Sequence, residues 1–293
     1  MLKELNISTP TTLKDFISLL KGSRGVYRKI YDAYLVFKEM IQCRNCFKFL
    51  SFTEHIIREP ISFNSVLLLI EHKLINAIMT YSSVIDFDIL RTLNLENEKS
   101  KDRILNKLLT IVNDFITSYE EKINKKQSPS NILRLFGLYL YDKLKVTKNS
   151  ILIRATLHDI PIFVPDFTNT YLALSLLTIK NKLKINLDID VMRDEQLLCD
   201  IMFENEKIGA IFLVGSLPKH HVQWWAGLRG GLDYAIQITA RSEFNGSLSG
   251  AKLSESITWH QLRPVGKGIS ILGDPILIFS LIVYALINEL NIR

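Results

Sequence analysis

The chain is short of the residues that mark the commonest chemistries. Three cysteines in 293 residues give no disulfide framework and fit a reducing compartment. The one suggestive spacing, Cys43-Arg44-Asn45-Cys46, lacks the second Cys or His pair a structural zinc site needs. It reads instead as the approach to a strand that begins at Cys46. No P-loop, H-E-x-x-H or serine nucleophile elbow occurs, which removes three large enzyme classes from consideration. No metal site is expected, and no internal repeat or low-complexity tract is present. The longest apolar stretch, residues 275–287, spans thirteen positions, well under the ~20 that cross a bilayer. The opening MLKELNISTP carries no apolar signal core, so a soluble, cytoplasmic protein with no membrane partner is expected. The formal charge is +6. Its lysine clusters at 122–126 and 143–148 have no interleaved aromatics, so they read as solvated surface and not as a nucleic-acid site.

What is present is a well-filled core and an alternating pattern. Hydrophobic residues make up 47% of the chain, and a chain of this length can bury a substantial apolar interior. Leu13, Phe16, Leu19 and Leu20 recur at helical spacing after Thr11-Thr12, and a second helix is expected over 25–41. A strand over Cys46–Phe52 leads into a turn that holds Glu54, Arg58 and Glu59, where Arg58 is a weak phosphate candidate. Helix 64–73, strand 77–81, a long amphipathic helix over 101–124, a loop over 125–131 and a helix over 133–144 follow. Residues 151–155 fit a short helix or a strand. Residues 161–165 read as a strand and 188–203 as a helix. Residues 211–214 form an apolar run closed by Gly215-Ser216, then a helical pattern and a strand over 234–239. Pro275 and Asn288 bound a buried terminal helix. Strand, small-residue turn, helix, strand is the βαβ unit of open parallel sheets, whose turns sit where such sheets bind ligands. The expected fold is α/β: Rossmann-like, a mostly parallel sheet with helices on both faces, as one domain over 1–293. Within it, 1–45 is an N-terminal helical segment and 46–293 the Rossmann-like core.

The stretch 211–263 concentrates the chemistry. It holds Val214-Gly215-Ser216, Lys219-His220-His221, Gly230 to Ala235, Glu243 to Ala251 and Thr258-Trp259-His260-Gln261. Without gaps, these resemble the deoxyhypusine synthase motifs G-G-G-x-x-K-H-H, N-G-A-D-Y-A, E-F-D-G-S-D-S-G-A and S-W-G-K. The resemblance implies an NAD-dependent transferase that oxidises spermidine and passes its aminobutyl group to an enzyme lysine. From there the group goes to one lysine of a translation factor precursor, the hypusine-bearing protein. It also implies a tetramer of tight dimers with active sites between subunits. Residue by residue, Lys219 and His220 match a family lysine and general base, and Glu255 and Trp259 match substrate contacts. Gly215, Ser216, Asn169, Asn245, Ser249 and Asp274 match positions near the cofactor.

The departures fall on the chemistry. Gln261 stands at the family's catalytic lysine, and an amide nitrogen cannot form an imine. Lys252 is the nearest substitute, and Lys267 is expected beyond a turn at Pro264. Leu174 and Leu248 replace two acids of the polyamine pocket, and Trp224 replaces a smaller Asn. One remaining carboxylate poorly offsets desolvation of a triple cation. The pair Trp224-Trp225 reads as core or subunit interface. Carboxylates in the turn after the first strand oppose a pyrophosphate, so NAD binding is expected to be weakened. The function expected is that of a synthase-like paralogue without autonomous activity. It would act as a regulatory or scaffolding subunit in a homo-oligomer, or in a hetero-oligomer with an intact paralogue. The alternative is an active NAD-dependent aminobutyl transferase, or a related polyamine-modifying enzyme that uses a different amine and no covalent lysine.

Overall fold

The computed structural model describes Pro10 and residues 12–123, 126–146, 149–213 and 215–290, except for the side chain of Asn245. In chain order, α1 (Leu13–Leu19) and α2 (Gly25–Gln42) precede β1 (Cys46–Phe52), α3 (Glu54–Arg58) and α4 (Pro60–Glu71). Then come β2 (Ala77–Thr80), α5 (Ser82–Thr92), α6 (Lys101–Ser118), α7 (Glu120–Ile123), β3 (Lys126–Gln127), α8 (Pro129–Asp142), α9 (Ile151–Leu157) and β4 (Ile162–Phe163). Next are α10 (Tyr171–Leu183), β5 (Asp188–Ile189), α11 (Met192–Glu204), β6 (Lys207–Leu213), α12 (Leu217–Leu228) and β7 (Leu232–Thr239). The chain continues through α13 (Glu255–Thr258), β8 (Leu262–Leu272) and α14 (Pro275–Glu289). Two compact units result, one of Met1–Asn76 with Ile201–Arg293 and the other of Ala77–Asp200.

The first unit is built on parallel strands in the order β1, β6, β7, β8. Cys46 lies opposite Lys207 and Phe52 opposite Leu213, while Ile211 lies opposite Ile236. These strands are near-continuous apolar runs because both faces are covered. Phe49, Phe52, Phe212 and Ile236 are all buried. Helices cover both faces, α2 and α14 on one and α12 on the other. Gly209 of β6 shows how closely α2 approaches: a Cβ there would sit 2.3 Å from Met40 Sδ. Local signals start the helices. Thr12 and Asp15 form a reciprocal capping box on α1, and Asp274 with Pro275 starts α14.

The second unit pairs β2 with β4 and β3 with β5, both parallel. Around them, α6 packs on α10 and α8 on α9. Phe115, Phe136 and Tyr139 pack as a cluster, with Phe115 5.2 Å from Phe136 and 5.4 Å from Tyr139 between ring centroids. Four helices here begin under a carboxylate from elsewhere in the unit. Asp88 accepts the Ser150 hydroxyl at 2.7 Å and the Ile151 and Leu152 N–H groups at 3.0 Å, holding α9. Asp194 accepts Ser130 N–H and hydroxyl at α8. Asp166 does the same for Ser82 at α5, and Asp86 accepts Tyr171 N–H at α10.

Several expectations are corrected. No turn separates Lys267 from the site at Pro264. Residues 262–272 form the last strand, and four residues, 263–266, oppose the single Asp233 in a bulge between Leu232↔Leu262 and Tyr234↔Lys267. Proline, lacking an N–H, fits such an edge bulge. The turn after β1 is helix α3 itself, and Arg58 is engaged by Glu54 one turn away. Residues 188–189 pair as β5 before the helix starts at Met192. The helix from Lys101 ends at Ser118. Residues 151–155 are helical. Trp224 is not core, being exposed on α12. Val214, Asn124 and the opening nine residues lie outside the described residues. Cys46 does begin the first strand.

Candidate functional site

The candidate residues of the first unit collect where β6 gives way to α12 and where the segment 243–261 joins β7 to β8. Gly215 has φ +109°, a conformation glycine adopts without strain, which explains its retention apart from any ligand. Ser216 accepts the His220 N–H at 2.9 Å as α12 begins. One turn into the helix, the Lys219 side chain points inward and is almost wholly buried. Its ammonium donates to the carbonyls of Leu248, at 3.0 Å, and Ala251, at 2.8 Å. Burial pushes its pKa down to about 8, and the charge of Glu255 opposes that shift. Carbonyl oxygens bind a cation through dipoles only, so desolvation outweighs them.

Polar residues that motif reasoning missed reinforce this arrangement. Gln223 Nε2 donates to Ser256 Oγ at 2.9 Å. Gln237, buried in the middle of β7, donates to the Ser249 carbonyl at 3.1 Å and accepts from Ser270 Oγ at 3.2 Å. Ser270 Oγ in turn accepts the Leu253 N–H at 3.0 Å. Ser249 is buried, and its hydroxyl shares a hydrogen bond of 2.8 Å with Ser247. Together with Lys219, these bonds tie residues 247–256 onto α12 and the two last strands. A buried Gln on a strand that otherwise reads Tyr-Ala-Ile-x-Ile was the one available sequence signal.

His220 is half-buried, with its ring 6.3 Å from that of Trp224. Glu255 opens α13 at the surface, and Trp259 is exposed just beyond it. Gln261 is half-buried. Its Cγ lies 3.7 Å from where a Cβ on Gly227 of α12 would stand. Its backbone is fixed at both ends, N–H to Ser256 O at 2.8 Å and carbonyl to Leu232 N–H at 3.0 Å. The other lysines of this region are committed. Lys252 pairs with Glu243 at 2.5 Å, and Lys267 pairs with Glu39 at 2.5 Å.

The proposed nucleotide contacts are less coherent. Asp274 accepts the N–H groups of Ile276, at 2.8 Å, and Leu277, at 3.2 Å, as the cap of α14. Asn169 is exposed in the second unit at the end of a short turn, Phe167–Asn169, with its N–H on Asp166 O at 2.9 Å. The side chain of Asn245 lies outside the described residues. A cavity of about 110 Å³ lies at the C-terminal ends of β7 and β8, lined by Thr239, Arg241, Phe244, Gly250 and Leu272 among others. That falls well below the roughly 300 Å³ where ligand clefts begin. The helix after β1 opens on Glu54, whose carboxylate pairs with Arg58, so a negative charge stands at the helix start where a pyrophosphate would have to approach. These residues fit a dinucleotide poorly, and no chemical step is derived through one. Among the described residues no group of three or more His, Cys, Asp or Glu could hold a metal. No described helix is long and apolar enough to cross a membrane.

Comparison with known proteins agrees with the motif reading. The sequence model described as deoxyhypusine synthase matches residues 26–286. The "probable deoxyhypusine synthase" of Thermoplasma volcanium is 32% identical, over 96% of this chain and 95% of the relative. That of Picrophilus torridus is 31% identical over the same shares. A crystal structure assigned to the same enzyme from Entamoeba histolytica superposes with a TM-score of 0.65 at 18% identity, covering 93% of this chain and 91% of the other. That likeness concerns the fold, whereas the sequence match spans nearly the whole chain. The chain belongs to the deoxyhypusine synthase family.

Proposed function

We propose that this chain is a deoxyhypusine synthase-like subunit without synthase activity of its own, acting as a regulatory or scaffolding partner. The observation that carries this reading is the state of the amines around position 261. The family's lysine position holds Gln261. Lys252 and Lys267 are bound to Glu243 and Glu39, and the Lys219 ammonium is held by two carbonyls. An aminobutyl acceptor must be an uncharged, accessible amine, and none of the three presents one. Leu248, exposed where the family has an acid, supports the same conclusion for the polyamine pocket.

A partner subunit is supported by exposed apolar surface on the first unit. Phe244 is 91% exposed, Val265 89%, Trp259 74% and Trp224 56%. A covering partner would remove these side chains from water. The partner is a second copy or an intact paralogue, and the hypusine-bearing translation factor is a further candidate. Weakened NAD binding belongs to the same reading.

The test is incubation of purified protein with NAD and spermidine, following NADH formation and labelling of the protein. No turnover above that of a His220→Ala variant is expected, and turnover above it would overturn the reading. Gln261→Lys alone is expected to remain inactive, because the acids at 174 and 248 are also missing. Co-purification with an intact paralogue is expected. A stable homo-oligomer with no such partner would argue against the hetero-subunit form.

One observation favours the active alternative. A lysine with its pKa lowered to about 8 loses its proton more readily than a free one, as nucleophilic lysines do. In that reading Lys219 would carry the aminobutyl group, and radiolabel from spermidine would be lost in Lys219→Met.

A further inference from the structure

The sequence holds one Asn-Gly step, Asn245-Gly246, and the fold sets it in the segment that joins β7 to β8. Residues 243–245 make a single short turn that closes at Gly246, whose backbone is left-handed at φ +68° and ψ +7°. Glycine takes that conformation without strain. The turn stands out from the surface: Phe244 is 91% exposed, and Glu243 and Gly246 are exposed beside it. A Cβ on Gly246 would meet nothing within 4 Å.

This step carries both reactants of a ring closure. The main-chain nitrogen of Gly246 and the side-chain amide carbon of Asn245 belong to neighbouring residues. Covalent bonds limit their separation, so a five-membered ring can close with no other group in place. The Gly246 N–H is also loosely held. It reaches the Glu243 carbonyl only at 3.5 Å, against about 2.9 Å for a well-formed amide bond.

Two other exposed asparagines show the contrast. Asn94 is followed by Leu95, whose N–H is bound to Leu90 O at 2.7 Å. Asn169 is followed by Thr170, whose N–H is bound to Phe167 O at 3.0 Å. In both, the nitrogen that would attack is tied into the fold, and its residue carries a branched side chain. At Gly246 the nitrogen has neither restraint.

We propose that Asn245-Gly246 is a self-modification site. The Gly246 nitrogen loses its proton to solvent base and attacks Cγ of Asn245. The new C–N bond closes a cyclic imide, the bond from Cγ to the amide nitrogen breaks, and that nitrogen leaves as ammonia. Water then opens the imide. Opening at Cγ leaves an ordinary aspartate, whereas opening at the main-chain carbonyl leaves isoaspartate, which lengthens the chain by one carbon. The net change is amide plus water to acid plus ammonia, with no oxidant or cofactor. Either product adds a negative charge next to Phe244, which lines the cavity at the ends of β7 and β8, and two residues from Glu243 with its partner Lys252. The aspartate form also carries the acid that the motif E-F-D-G-S-D-S-G-A has at this position. The isoaspartate form enters just ahead of the segment that Lys219 holds through the Leu248 and Ala251 carbonyls. The asparagine in the sequence thus describes the chain as made, and the acid describes it as it ages.

The test is timed incubation of the full-length protein at pH 6 and at pH 9, followed by ion-exchange chromatography and mass-spectrometric mapping of the tryptic peptide 242–252. A more acidic species is expected to grow with time, to map to residue 245, and to form at least tenfold faster at the higher pH. Asn94 and Asn169 should remain amides over the same period. Gly246→Ala should slow the conversion at least tenfold. Asn245→Gln, which leaves the glycine of the turn in place, should abolish it even if the alanine variant melts early. The proposal is overturned if no acidic species forms while the free 242–252 peptide converts. Equal conversion at Asn94 or Asn169, or an acidic species that persists in Asn245→Gln, would overturn it as well.

Discussion

The two units handle buried charge in opposite ways. In the second, buried or half-buried carboxylates sit over helix starts, as Asp88 does at α9 and Asp194 at α8. Bare N–H groups and the positive end of the helix dipole compensate the negative charge there. In the first, the buried charge at the candidate site is cationic, and Lys219 finds only two carbonyls. Burial raises the pKa of Asp88, and its three donors pull it back down. Burial lowers that of Lys219 to about 8, and only the distant charge of Glu255 resists. Asp88 stays raised on balance, with its three donors offsetting part of the cost of burial. Both sites therefore keep a residual cost of burial, on a carboxylate in one unit and on an ammonium in the other.

Breaking the donor-rich side should have the largest effect. Asp88→Ala strips one hydroxyl and two N–H groups of their acceptor inside the protein. At about 1–3 kcal/mol for each unsatisfied group, a loss of at least 3 kcal/mol is expected in urea denaturation. Amide exchange should rise first in α9.

The buried lysine should reveal itself through pH. Lys219 is shifted from 10.5 to about 8, so the folded state binds fewer protons than the unfolded one between those values. Its contribution is therefore fully present above the unfolded pKa and is lost as pH falls through 8. Relative to Lys219→Met, the parent should gain up to about 3 kcal/mol as pH rises from 7 to 10. A flat difference between the two proteins would mean that Lys219 is not desolvated.

A smaller effect is expected from Gly137→Ala. The added methyl meets Thr156 Oγ1 at 2.4 Å and backbone at 3.1 Å, and prising α8 from α9 should cost about 2 kcal/mol. Smallest should be Lys267→Ala, which removes a surface pair with Glu39. Exposed pairs of this kind contribute roughly 0.5 kcal/mol, so its melting temperature should hardly move.

The same contrast explains what the sequence revealed. The α/β pattern was legible because covered parallel strands are unbroken apolar runs, and because Pro275 marks a helix start; the helices expected from 64 and 133 begin four residues earlier, at Pro60 and Pro129. The family was legible because motif spacing survives when individual side chains change. The bulge at 263–266 was not legible: a proline in a polar stretch reads as a turn whether or not a strand continues past it. Strands β3 and β5 were missed because two residues carry no periodicity. The Gln223, Gln237 and Ser270 bonds were hidden for another reason. Each joins positions far apart in sequence, and which amide meets which hydroxyl depends on the packing of α12 and β7.

The bulge also constrains what could be added to the edge of this sheet. Strand β8 ends the sheet order of its unit, and an uncovered outermost strand invites a neighbouring molecule to extend the ladder. Along 263–266 that invitation is withdrawn: the backbone is displaced from its register, Pro264 offers no donor, and Lys267 follows with a charged head. A molecule docking at this edge would be left with side chains such as the exposed Val265 to grip, so its fit would depend on side-chain shape and could be altered without disturbing the sheet.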